Sequence, residues 1–196
     1  MTKYVAFLRG INVGGKKLIK MDALARAFQS LGFENVKTFI QSGNVIFDDA
    51  ETNLDVLAKK IETIILKSFG FEVPVILQTV TSLQGILKRN PFEKLEADSD
   101  VMMFVTFLSA HPPAKPKLPL LFPADNVELI AIKDRAAFLL CRRKTNGMFS
   151  FPNALVEKLG VSATTRNWTT VNKIVALATA KGKEQRAKGK ELRAKG

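Results

Sequence analysis

The sequence predicts an α+β protein built on antiparallel sheets, and three observations predict it. Short apolar runs bounded by glycine read as strands, apolar stripes at three- and four-residue spacing read as helices, and a hairpin signal joins two of the strands. The chain has 196 residues, 46% of them hydrophobic, which is enough for a real core and excludes disorder throughout.

YVAFLR (residues 4–9) is too short for a helix and apolar on both faces, as in a central strand. Beyond a glycine-rich stretch, Met21, Leu24, Phe28 and Leu31 form one helical stripe that Gly32 ends. VKTFIQ and VIFDD are strands on either side of SGN (42–44), where Gly43 and Asn44 supply the positive φ of a tight hairpin. TNLD (52–55) has capping-box spacing, and Leu54, Leu57, Ile61, Ile64 and Ile65 continue as a helix to Gly70. EVPVILQT follows as a strand. The helix ends SLGFE and SFGFE are near copies, so the first part reads β-α-β-β-α-β, a ferredoxin-like (split βαβ) unit.

The second part repeats the theme less clearly. TSLQGILKRN is a helix and VMMFVTFLS a buried strand; the proline-rich HPPAKPKLPLLFPAD is a connection with at most a short helix around Leu118 to Phe122. VELIAI and AAFLLCRR form a hairpin about Lys133, Asp134 and Arg135. Helices follow in FPNALVEKLG and TTVNKIVALATA. The first sheet has apolar groups on both faces but helices for only one, so the second half is expected to cover the other.

Composition narrows the function. The single Cys141 excludes a disulfide framework and suits a reducing, cytoplasmic setting. No apolar run is long enough to cross a bilayer, and no signal peptide is legible. Of the net charge of +12, five units lie in residues 181–196, where KGKEQRA and KGKELRA repeat. This tail reads as a solvated arm or as a partner for nucleic acid, neutralising phosphates.

LRGINVGGKK (8–17) matches G-x-x-x-x-G-K, but Lys17 stands where a P-loop needs a hydroxyl, and the hairpin makes the following strands antiparallel. What remains is a glycine turn whose N–H groups at Gly10, Gly14 and Gly15 could cradle an anion, with Arg9, Asn12 and Lys16 beside them. The same glycines serve equally as a plain tight turn. TTRNW (164–168) is chemically similar: Thr164 and Thr165 offer hydroxyls, Arg166 a planar fork and Asn167 an amide, just before a helix N-terminus. Capping by Asn167 or Thr169 would need the same residue types. The lone His111, without an acid or nucleophile nearby, reads as a surface residue, and no metal site or cofactor is expected.

FLRGINVGGKKLIKM, IQSGNVIF, FGFEVPV, NPF and TTRNW, in that order, resemble the bacterial family known as domain of unknown function 1697. The resemblance spans residues 1 to about 178. It implies duplicated, intertwined ferredoxin-like halves with C-terminal helices, and it implies no activity. The expected division is a β-α-β-β-α-β half over 1–80, a second, intertwined sheet half over 81–150, a C-terminal helical segment over 151–180 and the basic repeat tail over 181–196.

The resulting expectation is binding of a phosphate-bearing ligand, small molecule or polyanion, by Arg9, Gly10, Asn12, Gly14, Gly15, Lys16, Ser42, Asn44, Thr165, Arg166 and Asn167. Two alternatives stand beside it: an enzyme acting on a phosphorylated metabolite with Asp48 or Asp49 as acid or base, and nucleic-acid association through the tail.

Overall fold

The computed structural model describes residues 1–93, 95 and 98–193, with 181–193 as helix backbone only. Two antiparallel sheets are packed face to face. The first holds β1 (Thr2–Leu8), β2 (Glu34–Phe39), β3 (Asn44–Asp49) and β4 (Val75–Thr79) in the order β2-β3-β1-β4. The second holds β5 (Val101–Leu108), β6 (Leu120–Phe122), β7 (Val127–Lys133), β8 (Ala136–Arg142) and β9 (Ala163–Asn167) in the order β6-β7-β8-β5-β9. The class is α+β.

Alternation along β1 dictates the layers. Tyr4, Ala6 and Leu8 point to one face, where α1 (Met21–Gln29) and α2 (Leu54–Phe69) cover them with Leu24, Phe28, Leu57, Ile61 and Ile65. Val5 and Phe7 point to the other face, toward Val105 and Phe107 of β5 and Phe138 of β8. Phe7 and Phe107 stack with ring centroids 4.2 Å apart and planes 14° from parallel. Helices α3 (Val80–Arg89) and α5 (Trp168–Arg193) close the rim of this central layer with Leu83, Ile86, Val171 and Ile174. The outer face of the second sheet packs under the short α4 (Asn153–Glu157) through Leu155 and Val156. A strand apolar on both faces thus has two different apolar partners.

Several local expectations are corrected. Asn53, not Thr52, caps α2, accepting from the Asp55 and Val56 amides at 3.0 and 3.2 Å. The β2–β3 connection is Ile40–Gly43, with positive φ at Ile40 (49°) and Gly43 (76°), while Asn44 is the first residue of β3, paired with Phe39. The short helix expected around Leu118 to Phe122 is instead the edge strand β6, followed by a 3-10 turn at Pro123–Asp125, because the free edge of β7 offers backbone partners. TTRN is not a loop before a helix but strand β9 on the edge beside β5, with Arg166 opposite Val105 and Thr165 opposite Thr106. Residues 181–193 of the basic repeat continue the backbone of α5; their side chains and residues 194–196 lie outside the described part.

Candidate functional site

Where the end of β1 meets β9, Arg166 ties the two sheets together. It faces the central layer because it alternates with Thr165, which points the other way to meet Thr106 (Oγ1–Oγ1 2.8 Å). Only 7% exposed, it lies with its guanidinium carbon 5.5 Å from the centre of the Phe7 ring. Its Nε donates to Asn44 Oδ1 at 2.5 Å, and Nη1 donates to Thr164 Oγ1 at 3.0 Å and to the Thr165 carbonyl at 2.8 Å. Nη2 donates to the carbonyls of Leu8 (2.8 Å), Ser42 (2.9 Å) and Gly43 (3.3 Å). An arginine has five N–H donors, so all are committed. All the acceptors are neutral, and no carboxylate pairs with Arg166 among the described residues. Burial lowers its pKa to about 10, which leaves it cationic at neutral pH.

The other predicted residues divide around this strut. Asn44, fully buried, receives Arg166 Nε and donates from Nδ2 to the Phe39 carbonyl and Ser42 Oγ, both at 3.0 Å. Asn12 pins the glycine stretch: Nδ2 donates to the carbonyls of Ile19 and Gln41, and Oδ1 accepts from the Ile19 amide. Val13 and Lys16 pair across Gly14 and Gly15, both at positive φ (57° and 73°), the pattern of a two-residue type I′ turn. Gly10 also has positive φ (67°), where the chain turns away from β1. Arg9 is held by Glu157 (Nη2–Oε1 2.7 Å) and donates to Ser162 Oγ at 3.2 Å. Asn167 Oδ1 accepts from the Thr169 amide at 2.8 Å and caps α5.

A hollow of about 670 Å³ opens between the two halves at this point. Arg9, Gly10, Lys16, Ser42, Thr165, Arg166 and Asn167 line it; Asn12, Gly14, Gly15 and Asn44 do not. The lining also includes Lys17, Phe104, Phe151, Asn153 and Thr170, which the sequence reading missed. Phe104 enters because β5 sets it opposite Asn167, a pairing invisible along the chain. Phe151 and Asn153 flank the start of α4, and no spacing relates them to the glycine stretch. Thr165 Oγ1 lies 3.3 Å from Asn153 Oδ1. Lys16 Nζ and the amide nitrogens of Asn153 and Asn167 carry no hydrogen bond among the described residues.

Asp48 and Asp49 lie at the far end of β3 and do not line the hollow. At about 3.3 Å per residue, Asp48 is some 13 Å along the strand from Asn44. Its carboxylate is held by Lys3 Nζ at 2.8 Å and Asn35 Nδ2 at 2.8 Å. Among the described residues no cluster of His, Cys, Asp and Glu could hold a metal ion, and no helix is long and apolar enough to cross a membrane.

Fold and site define an α+β protein of two stacked antiparallel sheets, joined by a buried arginine at the edge of a cationic hollow. The chain belongs to the family described as protein of unknown function DUF1697, whose model matches residues 1–138. It is similar in fold to the conserved bacterial protein SP0830 from Streptococcus pneumoniae, with a TM-score of 0.62 and 21% identity over 90% of this chain and 98% of that one. No curated protein matches the sequence.

Proposed function

We propose that the hollow binds a phosphate-bearing small molecule. One observation carries this reading: Arg9, Lys16, Lys17 and Arg166 line the cavity, and among the described residues no carboxylate does. Arg166 supplies charge rather than contact, since its donors are spent on neutral oxygens while its positive field, little screened at a buried site, reaches the cavity. Contact falls to Lys16 Nζ and to the amide groups of Asn153 and Asn167. Arg9, neutralised by Glu157, orders the wall. Gly10, Gly14 and Gly15 give the rim its shape, and Asn12, Ser42, Asn44 and Thr165 hold the loop and the strut.

Calorimetric titration with inorganic phosphate tests this. Binding that weakens with added salt and is reduced several-fold by Lys16→Ala is expected. No heat of binding at millimolar phosphate, or full affinity in Lys16→Ala, would contradict it.

Three further readings follow. The strand orders β2-β3-β1-β4 and β7-β8-β5-β9 put corresponding strands in corresponding places, which supports a duplicated ferredoxin-like unit whose first helix is replaced in the second copy by the proline-rich connection. The fully buried thiol of Cys141 supports a cytoplasmic, reducing setting. A role of the tail in binding nucleic acid rests on its charge; removing residues 181–196 would then flatten the salt dependence of DNA or RNA binding.

A further inference from the structure

We infer that the ligand of this hollow is a phosphate monoester carrying a flat aromatic ring, with the ring seated against Phe151 and Val13. The inference rests on the reading of the hollow as an anion site and concerns the rest of the molecule bound there. Most of the wall is apolar: Leu8, Ile11 and Val13 come from the first half, Phe104 and Phe151 from the second. Val13 is 68% exposed and Phe151 is 61% exposed, so two large apolar groups, one from each half, stand bare beside the same cavity.

The Phe151 ring is oriented rather than free. It meets the buried Phe104 edge to face, with centroids 5.7 Å apart and planes at 80°. Such a ring offers a further aromatic group either a face or an edge at little cost in side-chain ordering. At about 670 Å³ the hollow falls in the range of sites for whole small molecules and is far larger than inorganic phosphate needs. Inorganic phosphate would satisfy the cations and leave the apolar wall wet. A neutral aromatic would cover the wall and leave the charge of Arg166 and Lys16 unanswered. A ring joined to a phosphate answers both, and no carboxylate among the described residues lines the hollow, which disfavours a cationic ligand.

The test is calorimetric titration of the full chain with phenyl phosphate, glycerol phosphate and inorganic phosphate, repeated on Phe151→Ala and Phe151→Tyr. Phe151 is exposed, so both variants should fold, which circular dichroism checks. Phenyl phosphate is expected to bind roughly three- to tenfold more tightly than either other compound. The preference should vanish in Phe151→Ala, with inorganic phosphate bound as before, and persist in Phe151→Tyr. Equal affinity for phenyl and inorganic phosphate, equal affinity for phenyl and glycerol phosphate, or a preference that survives Phe151→Ala would overturn the inference while leaving the anion site standing. No binding of inorganic phosphate and none of the other two would overturn the anion reading as well.

Discussion

At the scale of the residue, Arg166 is the side chain on which the two sheets depend. A buried cation is normally matched by an acid; here carbonyls of Leu8, Ser42, Gly43 and Thr165, with Asn44 and Thr164, take all of its donors. Arg166→Leu keeps an apolar body but strands those acceptors in the interior. It is expected to cost about 2–4 kcal/mol, read as a lower midpoint of urea denaturation. A midpoint equal to that of the parent would mean that the strut carries no weight. Cys141 makes the contrasting case: burial pushes its thiol up to about 12 from an ordinary value of 9.0. Its folded state therefore favours the protonated thiol, and this contribution to stability is full below pH 9.0 and is lost as the pH rises toward 12. At pH 8 the native protein should leave a disulfide reagent such as dithionitrobenzoate unreacted until urea unfolds it; rapid reaction without urea would place the thiol at the surface.

At the scale of the element, the glycine turns show how far sequence alone reaches. Gly10, Gly14, Gly15 and Gly43 are all recognisable as turn formers, and all four have positive φ. What the spacing does not reveal is that they differ in surroundings. A Cβ on Gly43 would sit 2.7 Å from Ile11 Cδ1 and 2.8 Å from Leu8 Cβ, whereas one on Gly14 or Gly15 would meet nothing within 4 Å. Gly43→Ala should therefore cost about 2–4 kcal/mol, conformational strain and overpacking together. Gly14→Ala should cost about 1 kcal/mol, from the left-handed conformation alone. Thermal unfolding of the two variants checks the order, and equal losses would contradict it. The TTRN segment fails in the opposite direction. Its capping residues announced the helix correctly, with Asn167 at the cap, but the same residues hid a strand whose neighbour, β5, is some sixty residues away along the chain. A threonine-rich stretch takes its conformation from such a partner, not from itself.

At the scale of the whole molecule, the legible part is the part written in periodicity. Val5 and Phe7 alternating with Tyr4 and Ala6 require cover on both faces of β1, and the second sheet supplies it through Val105, Phe107 and Phe138. The hollow is less legible because it belongs to no single segment. Arg9 and Arg166 can be named from their chemistry, but Phe104, Phe151 and Asn153 join them only after the sheets are stacked. Assembly also turns Thr164, Thr165 and Arg166 inward and ties Asn12 to the Ile19 and Gln41 carbonyls, to hold the structure, and leaves Lys16 and Lys17 exposed. The proposed anion site rests on the uncancelled charge of Arg166. The most direct measurement is a nitrogen-15 NMR titration of the full chain with inorganic phosphate, following the Arg166 Nε–H and the amides of Gly14, Gly15 and Asn167. Saturable shifts at all four positions with one common dissociation constant are expected. Shifts that leave Arg166 and Asn167 unmoved, or that appear only on the lysine-rich surface of α2, would contradict the proposed site.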